Sequence, residues 1–344
     1  MLPDCRQEET TSRAAGNAEA RVPASAPVWQ AAVEVRAPQV AVVICTWNRQ
    51  HLLRQALAQL TRLQLPAGLR WEVLVVNNNC TDATDQVLAE FAARLPLRRL
   101  YEPQQGLSHA RNLAVREARA AYLAWTDDDT QVEPDWLSAY LDAFARWPGA
   151  ALFGGPITTH FLGSPPRWLQ RTFAAIPAAY AQHDLGAAAV ALDAQQLPLG
   201  ANYAVQTAMQ RRFPYDPALG RCGTGLLSGE EHAVFQRLLA AGAAGWWVPQ
   251  ARVRHCIPPE RQTTRYLRGY YQGIGEVVGR QMPSEGERLW RGRPLWLWRQ
   301  TVTAQLKYWV RRPFCGPESW VADLVAANLY RGRLRGFAQS QRVA

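Results

Sequence analysis

Lysine is almost absent from this 344-residue chain: Lys307 is the only one, so arginine carries nearly all of the positive charge. Paired cysteines are absent too. The six, at positions 5, 45, 80, 222, 256 and 315, form no C-x-x-C pair and no zinc-like spacing, which argues against a cysteine-held metal. No apolar stretch reaches the uninterrupted length of a membrane span, so an integral membrane protein is excluded. The first residues are polar and rich in Ala and Pro, without an apolar signal segment. The expectation is a cytoplasmic protein with reduced thiols.

Hydrophobic residues at 48% point to a globular protein, and 344 residues suit one large domain or two intimate ones. The net charge of +10 is uneven: residues 260–344 hold 15 basic and 6 acidic residues, whereas the rest holds 23 and 22. That concentration asks for an acidic partner, meaning phosphates of a membrane surface, of a lipid-linked substrate or of nucleic acid.

Residues 1–36 read as a flexible tail. Val40 to Cys45 is then a continuous apolar, β-branched run, the pattern of a parallel strand covered on both faces. A polar turn, Thr46 to Arg49, follows it, and Leu52, Leu53, Ala56, Leu57 and Leu60 recur at helical spacing. The unit repeats with a strand from Trp71 to Val76, a polar loop from Asn77 to Asp82 and a helix face of Val87, Leu88, Phe91 and Leu95. A third strand, Leu97 to Tyr101, leads through Gly106 to a helix from Ser108 to about Arg119, and Ala121 to Trp125 is a fourth strand. This alternation predicts an α/β fold with a doubly wound, mostly parallel sheet, whose ligands collect at the C-terminal edge of its strands.

Asp127-Asp128-Asp129 stands on that edge. Three neighbouring carboxylates repel one another and are tolerated in open water or around a bound cation. The plainer alternative is a solvated acidic turn capping a helix near Pro134. Further on, residues 154–200 read as a long excursion over the open end of the sheet. A glycine-rich loop, Gly220 to Gly229, opens onto a helix beginning Glu230-Glu231, whose acids could equally complement the helix dipole. A strand, Val253-Arg254-His255, ends in histidine. From Leu295, Trp298, Val302, Leu306, Trp309 and Val310 fall on one helical face, with Gln300, Thr303, Lys307 and Arg311 on another. Such a helix suits a membrane interface, or packs on the main domain with a solvated outer face.

The order of these motifs resembles the inverting family 2 glycosyltransferases of the GT-A fold. Val42 to Arg49 looks like that family's opening strand and turn, and Val73 to Asp82 like its second nucleotide-binding loop. Gly106 to Asn112 is similar to its G-x-x-x-A-R-N segment and Asp127 to Asp129 to its metal-binding D-x-D. Gly229-Glu230-Glu231 sits where the family usually has Gly-Glu-Asp, and His255 where many members carry a late histidine. The match covers about residues 40–260. It implies a catalytic domain over 37–258, with a nucleotide-sugar half (37–130) and an acceptor half (131–258), followed by a basic helical extension, 259–344.

The resemblance also implies chemistry. Departure of a nucleoside diphosphate develops negative charge, which a divalent cation (Mn2+ or Mg2+) would stabilise; the implied ligands are Asp129, Asp127 and His255. Donor contacts are implied for Thr46, Asn48, Arg49, Asn77, Asn79, Arg111, Asp127 and Asp128. Asn77 stands where many relatives have an aspartate that reads uracil, so a UDP-sugar is favoured. Turn chemistry is the other reading of Asn77 to Asn79. Glu231 is implied as the general base acting on the acceptor hydroxyl. Because aspartate is commoner there, Glu230 remains a candidate. The acceptor is expected to be a glycan or a lipid-linked hydroxyl, with peripheral contact at an anionic, cytoplasmic membrane face. No nucleic acid is expected, since no recognisable binding motif accompanies the charge. A sugar-1-phosphate nucleotidyltransferase would need a glycine-rich loop after the first strand, and Cys45 to Arg49 has no glycine. A nucleotide-sugar-binding protein without turnover is the non-enzymatic alternative.

Overall fold

The computed structural model describes residues 38–223, 225–227, 229–283 and 288–343; the tail expected over 1–36 lies outside them. The first four strands, β1 (Val40–Thr46), β2 (Trp71–Asn77), β3 (Leu97–Tyr101) and β4 (Tyr122–Thr126), run parallel. They alternate with α1 (Gln50–Leu60), α2 (Thr84–Ala92) and α3 (Leu107–Glu117). The apolar runs are continuous because both faces of the sheet are covered. Val42, Ile44, Val73 and Val75 pack with Leu53, Leu57 and Phe91 on one face; Ala41, Val43, Leu74 and Val76 pack with Ala110, Leu113 and Ala114 on the other. Each large aliphatic side chain so buried contributes about 1.5–3 kcal/mol.

The chain continues through β5 (Thr130–Val132), α4 (Trp136–Arg146), β6 (Ala150–Gly154), β7 (Ile157–Phe161), α5 (Arg167–Thr172), β8 (Asn202–Gln206), α6 (Thr207–Arg212), α7 (Glu230–Ala240), β9 (Ala244–Trp247) and β10 (Val253–Ile257). The main sheet has seven strands in the order β3-β2-β1-β4-β8-β6-β9, and β8 runs antiparallel to both of its neighbours. A second sheet, β5-β10-β7, begins directly after the three aspartates. Here β10 runs two residues past His255 and places it opposite Thr130, and the Cys256 amide donates to the Asp129 carbonyl at 2.8 Å. This pairing joins two motifs that lie far apart in the sequence. Because Thr130 opens a strand, the aspartates cap no helix: α4 starts after Asp135, which makes no side-chain cap.

Beyond β10, α8 (Thr264–Arg280) is capped by Thr263, whose hydroxyl accepts from the Tyr266 amide at 3.2 Å. A short hairpin, β11 (Leu289–Trp290) and β12 (Arg293–Pro294), precedes α9 (Leu295–Arg311) and α10 (Pro317–Val343). Helices α8 and α10 cross in near contact. A β-carbon on Gly332 would lie 2.2 Å from the Gln272 carbonyl oxygen, and one on Gly275 2.1 Å from that of Leu329. The inward face of α9 is Leu297, Thr301, Ala304 and Tyr308. The stripe of Val302, Leu306, Trp309 and Val310 points outward instead, so the exposed surface of α9 is apolar as well as basic. No described helix is long and apolar enough to cross a membrane.

The crossing yields a prediction. Gly332→Val forces a side chain into backbone and should cost about 3 kcal/mol of stability, read as a lowered urea midpoint. An unchanged midpoint would mean that the helices do not approach so closely.

Candidate active site

The C-terminal ends of β1 and β4, the first turns of α3 and α7, β10 and one face of α8 enclose a cavity of about 570 Å³, in the size range of small-molecule sites. Two groups of carboxylates face it.

The first group ends β4. Asp128 is anchored: Thr46 Oγ1 donates to it at 2.8 Å and Arg49 Nη1 at 3.0 Å. Asp129 accepts from Arg261 at 2.8 Å and from Arg49 at 3.3 Å, both on Oδ2. Burial opposes its charge, yet Arg261, His255 and Arg49 hold its carboxyl well below the usual range. Asp127 lines the cavity, and its carboxylate has no hydrogen-bond partner among the described residues; burial, then the charge of Asp129, pushes its carboxyl up.

His255 tests whether this corner suits a cation. Its Nδ1 lies 3.0 Å from the Tyr180 carbonyl oxygen, which can only accept, so Nδ1 carries the hydrogen. The other ring nitrogen, Nε2, faces Asp129 Oδ1 at 3.3 Å, and that buried oxygen has no hydrogen-bond partner among the described residues. A proton on Nε2 or a cation between the two atoms would serve this contact, and imidazole plus carboxylate suits a divalent transition metal. No group of three or more His, Cys, Asp or Glu side chains converges as a ready-made metal set among the described residues. What fits a cation is thus the pair Asp129 and His255, with Asp127 beside them.

The second group opens α7. Arg111, buried in α3, donates to Glu230 Oε1 at 2.7 Å and stands 3.5 Å from Glu231 Oε2. Gly220 leaves room for this packing. It adopts φ +90°, and a β-carbon on it would lie 2.9 Å from Ser108 Oγ and 3.2 Å from the Glu230 carboxyl carbon. The two glutamates are inequivalent. Burial, then the charge of Glu231, pushes Glu230 up to about 8. For Glu231 burial again opposes the charge, but Arg111 and a backbone amide hold it below the usual range. The pair titrates together, with Glu231 the more acidic carboxyl and Glu230 the less acidic one, and both line the cavity.

The structure brings Thr46, Arg49, Arg111, Asp127 to Asp129, Glu230, Glu231 and His255 together around this cavity. Three asparagines expected at the donor are occupied elsewhere and do not line it. Asn48 accepts from the Thr81 amide at 2.7 Å, Asn77 is held between Asp85 and the Cys80 amide at 2.8 Å each, and Asn79 accepts from Tyr101 at 3.1 Å. The Asn48 contact ties the loop after β1 to the loop after β2, and the other contacts brace that second loop against itself, α2 and β3, the role that turn chemistry gives asparagine.

The sequence matches the family description "Glycosyl transferase family 2" over residues 41–216, just over half of the chain. The chain belongs to glycosyltransferase family 2. It is 26% identical over 254 residues to the succinoglycan biosynthesis protein ExoM of Rhizobium meliloti, spanning 72% of this chain and 76% of that one. It is 34% identical over 110 residues to validoxylamine A glucosyltransferase of Streptomyces hygroscopicus subsp. limoneus, a match covering 31% of this chain and 24% of that one. Among solved structures it shares the fold of the mannosyltransferase PcManGT from Pyrobaculum calidifontis in complex with GDP-Man and Mn2+. That likeness has a TM-score of 0.54 and 16% identity over 86% of this chain and 88% of that one. S. aureus TarS 1-349 in complex with UDP-GlcNAc matches with a TM-score of 0.50 and 14% identity over 89% and 90% of the two chains.

In this family 2 chain, sequence reasoning missed Arg261 and the aromatic wall of α8, where Tyr266 and Tyr270 line the cavity. Nothing local marks Arg261, since its partner Asp129 is 132 positions away. Arg221, also in the lining, has no ion-pair or hydrogen-bond partner for its guanidinium among the described residues. Its place in the glycine-rich loop was a usable signal.

The shared proton can be measured. Carboxyl-carbon NMR should find one glutamate titrating near pH 8, where burial beside Glu231 pushes Glu230, and that transition should vanish in Glu230→Gln. Persistence of the transition in the variant would contradict the assignment.

Proposed function

We propose that the protein is an inverting glycosyltransferase that moves a sugar from a nucleotide-sugar donor, a UDP-sugar being favoured, to a hydroxyl of a glycan or lipid-linked acceptor. The observation that carries the reading is the division of labour across one cavity. An ionised carboxylate, Glu231, faces it from α7, and a cation-suited corner, Asp127, Asp129 and His255, faces it from β4 and β10.

In this reading Arg221 and Arg49 meet the donor's phosphates, as charge-assisted donors do, and Tyr266 and Tyr270 bound the acceptor side. Glu231 takes the proton of the acceptor hydroxyl as its oxygen attacks the anomeric carbon. The bond from that carbon to the diphosphate breaks, and its electron pair leaves with the nucleotide. Arg111 and the protonated Glu230 orient Glu231 and keep it ionised. A divalent cation held by Asp129, His255 and Asp127 would neutralise charge developing on the leaving diphosphate. The complexes of similar proteins support a donor of this class: TarS binds UDP-GlcNAc and PcManGT binds GDP-Man with Mn2+. ExoM supports a place in polysaccharide biosynthesis, where an acceptor carried on a lipid would put the enzyme at an anionic, cytoplasmic membrane face.

Donor hydrolysis by the purified chain tests this without a known acceptor, using UDP-, GDP- and dTDP-sugars with Mn2+, Mg2+ or EDTA. Turnover of one nucleotide class is expected, abolished by EDTA and by Asp129→Ala, and reduced about 10²–10⁴-fold in Glu231→Gln. Metal-dependent nucleotide binding with no turnover, even with candidate acceptors added, would favour a binding protein. Absence of nucleotide binding would remove the reading altogether.

A further inference from the structure

The exposed apolar side chains of this chain are concentrated. Of the ten large hydrophobic residues exposed among the described residues, eight lie between Leu289 and Phe314. On α9, Val302, Leu306, Trp309 and Val310 are 52%, 52%, 62% and 64% exposed. They recur at helical spacing and so form one stripe.

The β11-β12 hairpin extends that stripe. Arg291 and Gly292 both take positive φ at its turn, as a tight hairpin requires, and this carries Trp290 edge-on to Trp298 at 5.2 Å. Between hairpin and helix runs a shallow groove of about 400 Å³ lined by Trp290, Leu295, Trp298, Arg299, Val302 and Thr303. The charge is equally one-sided: residues 288–316 hold six arginines and Lys307 and no acid.

We propose that the outer face of α9, together with the β11-β12 hairpin, docks on a bilayer surface of anionic phospholipid. Indole rings and aliphatic tips would enter the headgroup boundary, while Arg299 and Lys307 meet lipid phosphates. A second copy of the chain fits this face poorly, because a two-fold contact sets like charge against like. Water fits poorly too, since contiguous apolar patches of this kind mark interaction sites. The inner face of α9 packs on α10, and α10 is clamped to α8, whose opposite side lines the cavity. Docking would therefore fix the acceptor wall relative to the membrane. The inference deepens the reading of a lipid-linked acceptor, yet its test needs no sugar, so either can fail alone.

The full chain is mixed with vesicles of phosphatidylglycerol and phosphatidylcholine, or of phosphatidylcholine only, and floated at two salt concentrations. Binding is expected on the anionic vesicles alone, weakened by salt. It should fall about 100-fold in Arg299→Glu/Lys307→Glu and about 10-fold in Trp309→Ser/Val310→Ser, with circular dichroism unchanged in both. Equal binding by these folded variants would overturn the proposal. So would a wild-type dimer that ignores vesicles and dissociates in Trp309→Ser/Val310→Ser, or binding to a DNA duplex in place of the vesicles.

Discussion

Buried negative charge is the constraint around which this protein is built. Asp127, Asp128, Asp129, Glu230 and Glu231 converge on one cavity, and desolvation works against the charge of each. An ion taken out of water costs several kcal/mol unless partnered. Arg49, Arg111 and Arg261 supply that partnership, each at 3.0 Å or less from a carboxylate oxygen. The result sorts the acids by role. Asp128 and Glu230 are each held by arginine, whereas the Asp127 carboxylate and Asp129 Oδ1 have no hydrogen-bond partner among the described residues.

The first half of the fold was legible because its strands are covered on both faces. Runs such as Val40 to Cys45 and Trp71 to Val76 admit no solvent face, so they read as parallel strands from the sequence alone. The acidic corner was legible for a related reason, since three aspartates ending such a run demand compensation. The compensating arginines were not. Arg261 reaches Asp129 across 132 positions and carries no local periodicity. The asparagines at 48, 77 and 79 have side chains equally suited to a nucleotide and to a tight turn, and in this structure they make loop contacts.

The C-terminal extension shows another limit of pattern reading. Periodicity identified the stripe of Trp298, Val302, Leu306, Trp309 and Val310 but could not say which way it faces. Helix α9 has a second stripe, Leu297, Thr301, Ala304 and Tyr308, that lies inward against α10. Its two middle residues are small, which lets the helices approach. The bulkier stripe is left outside. Sheet, cavity wall and exposed face are thereby joined through α8 and α10, and the described residues form one compact unit.

The central claim is a single displacement at the anomeric carbon with Glu231 as the base. Proton NMR of the sugar first released from an α-linked donor, recorded before mutarotation, tests it most directly. The account predicts the β-anomer as first product. The α-anomer first would mean a retaining mechanism and would contradict it.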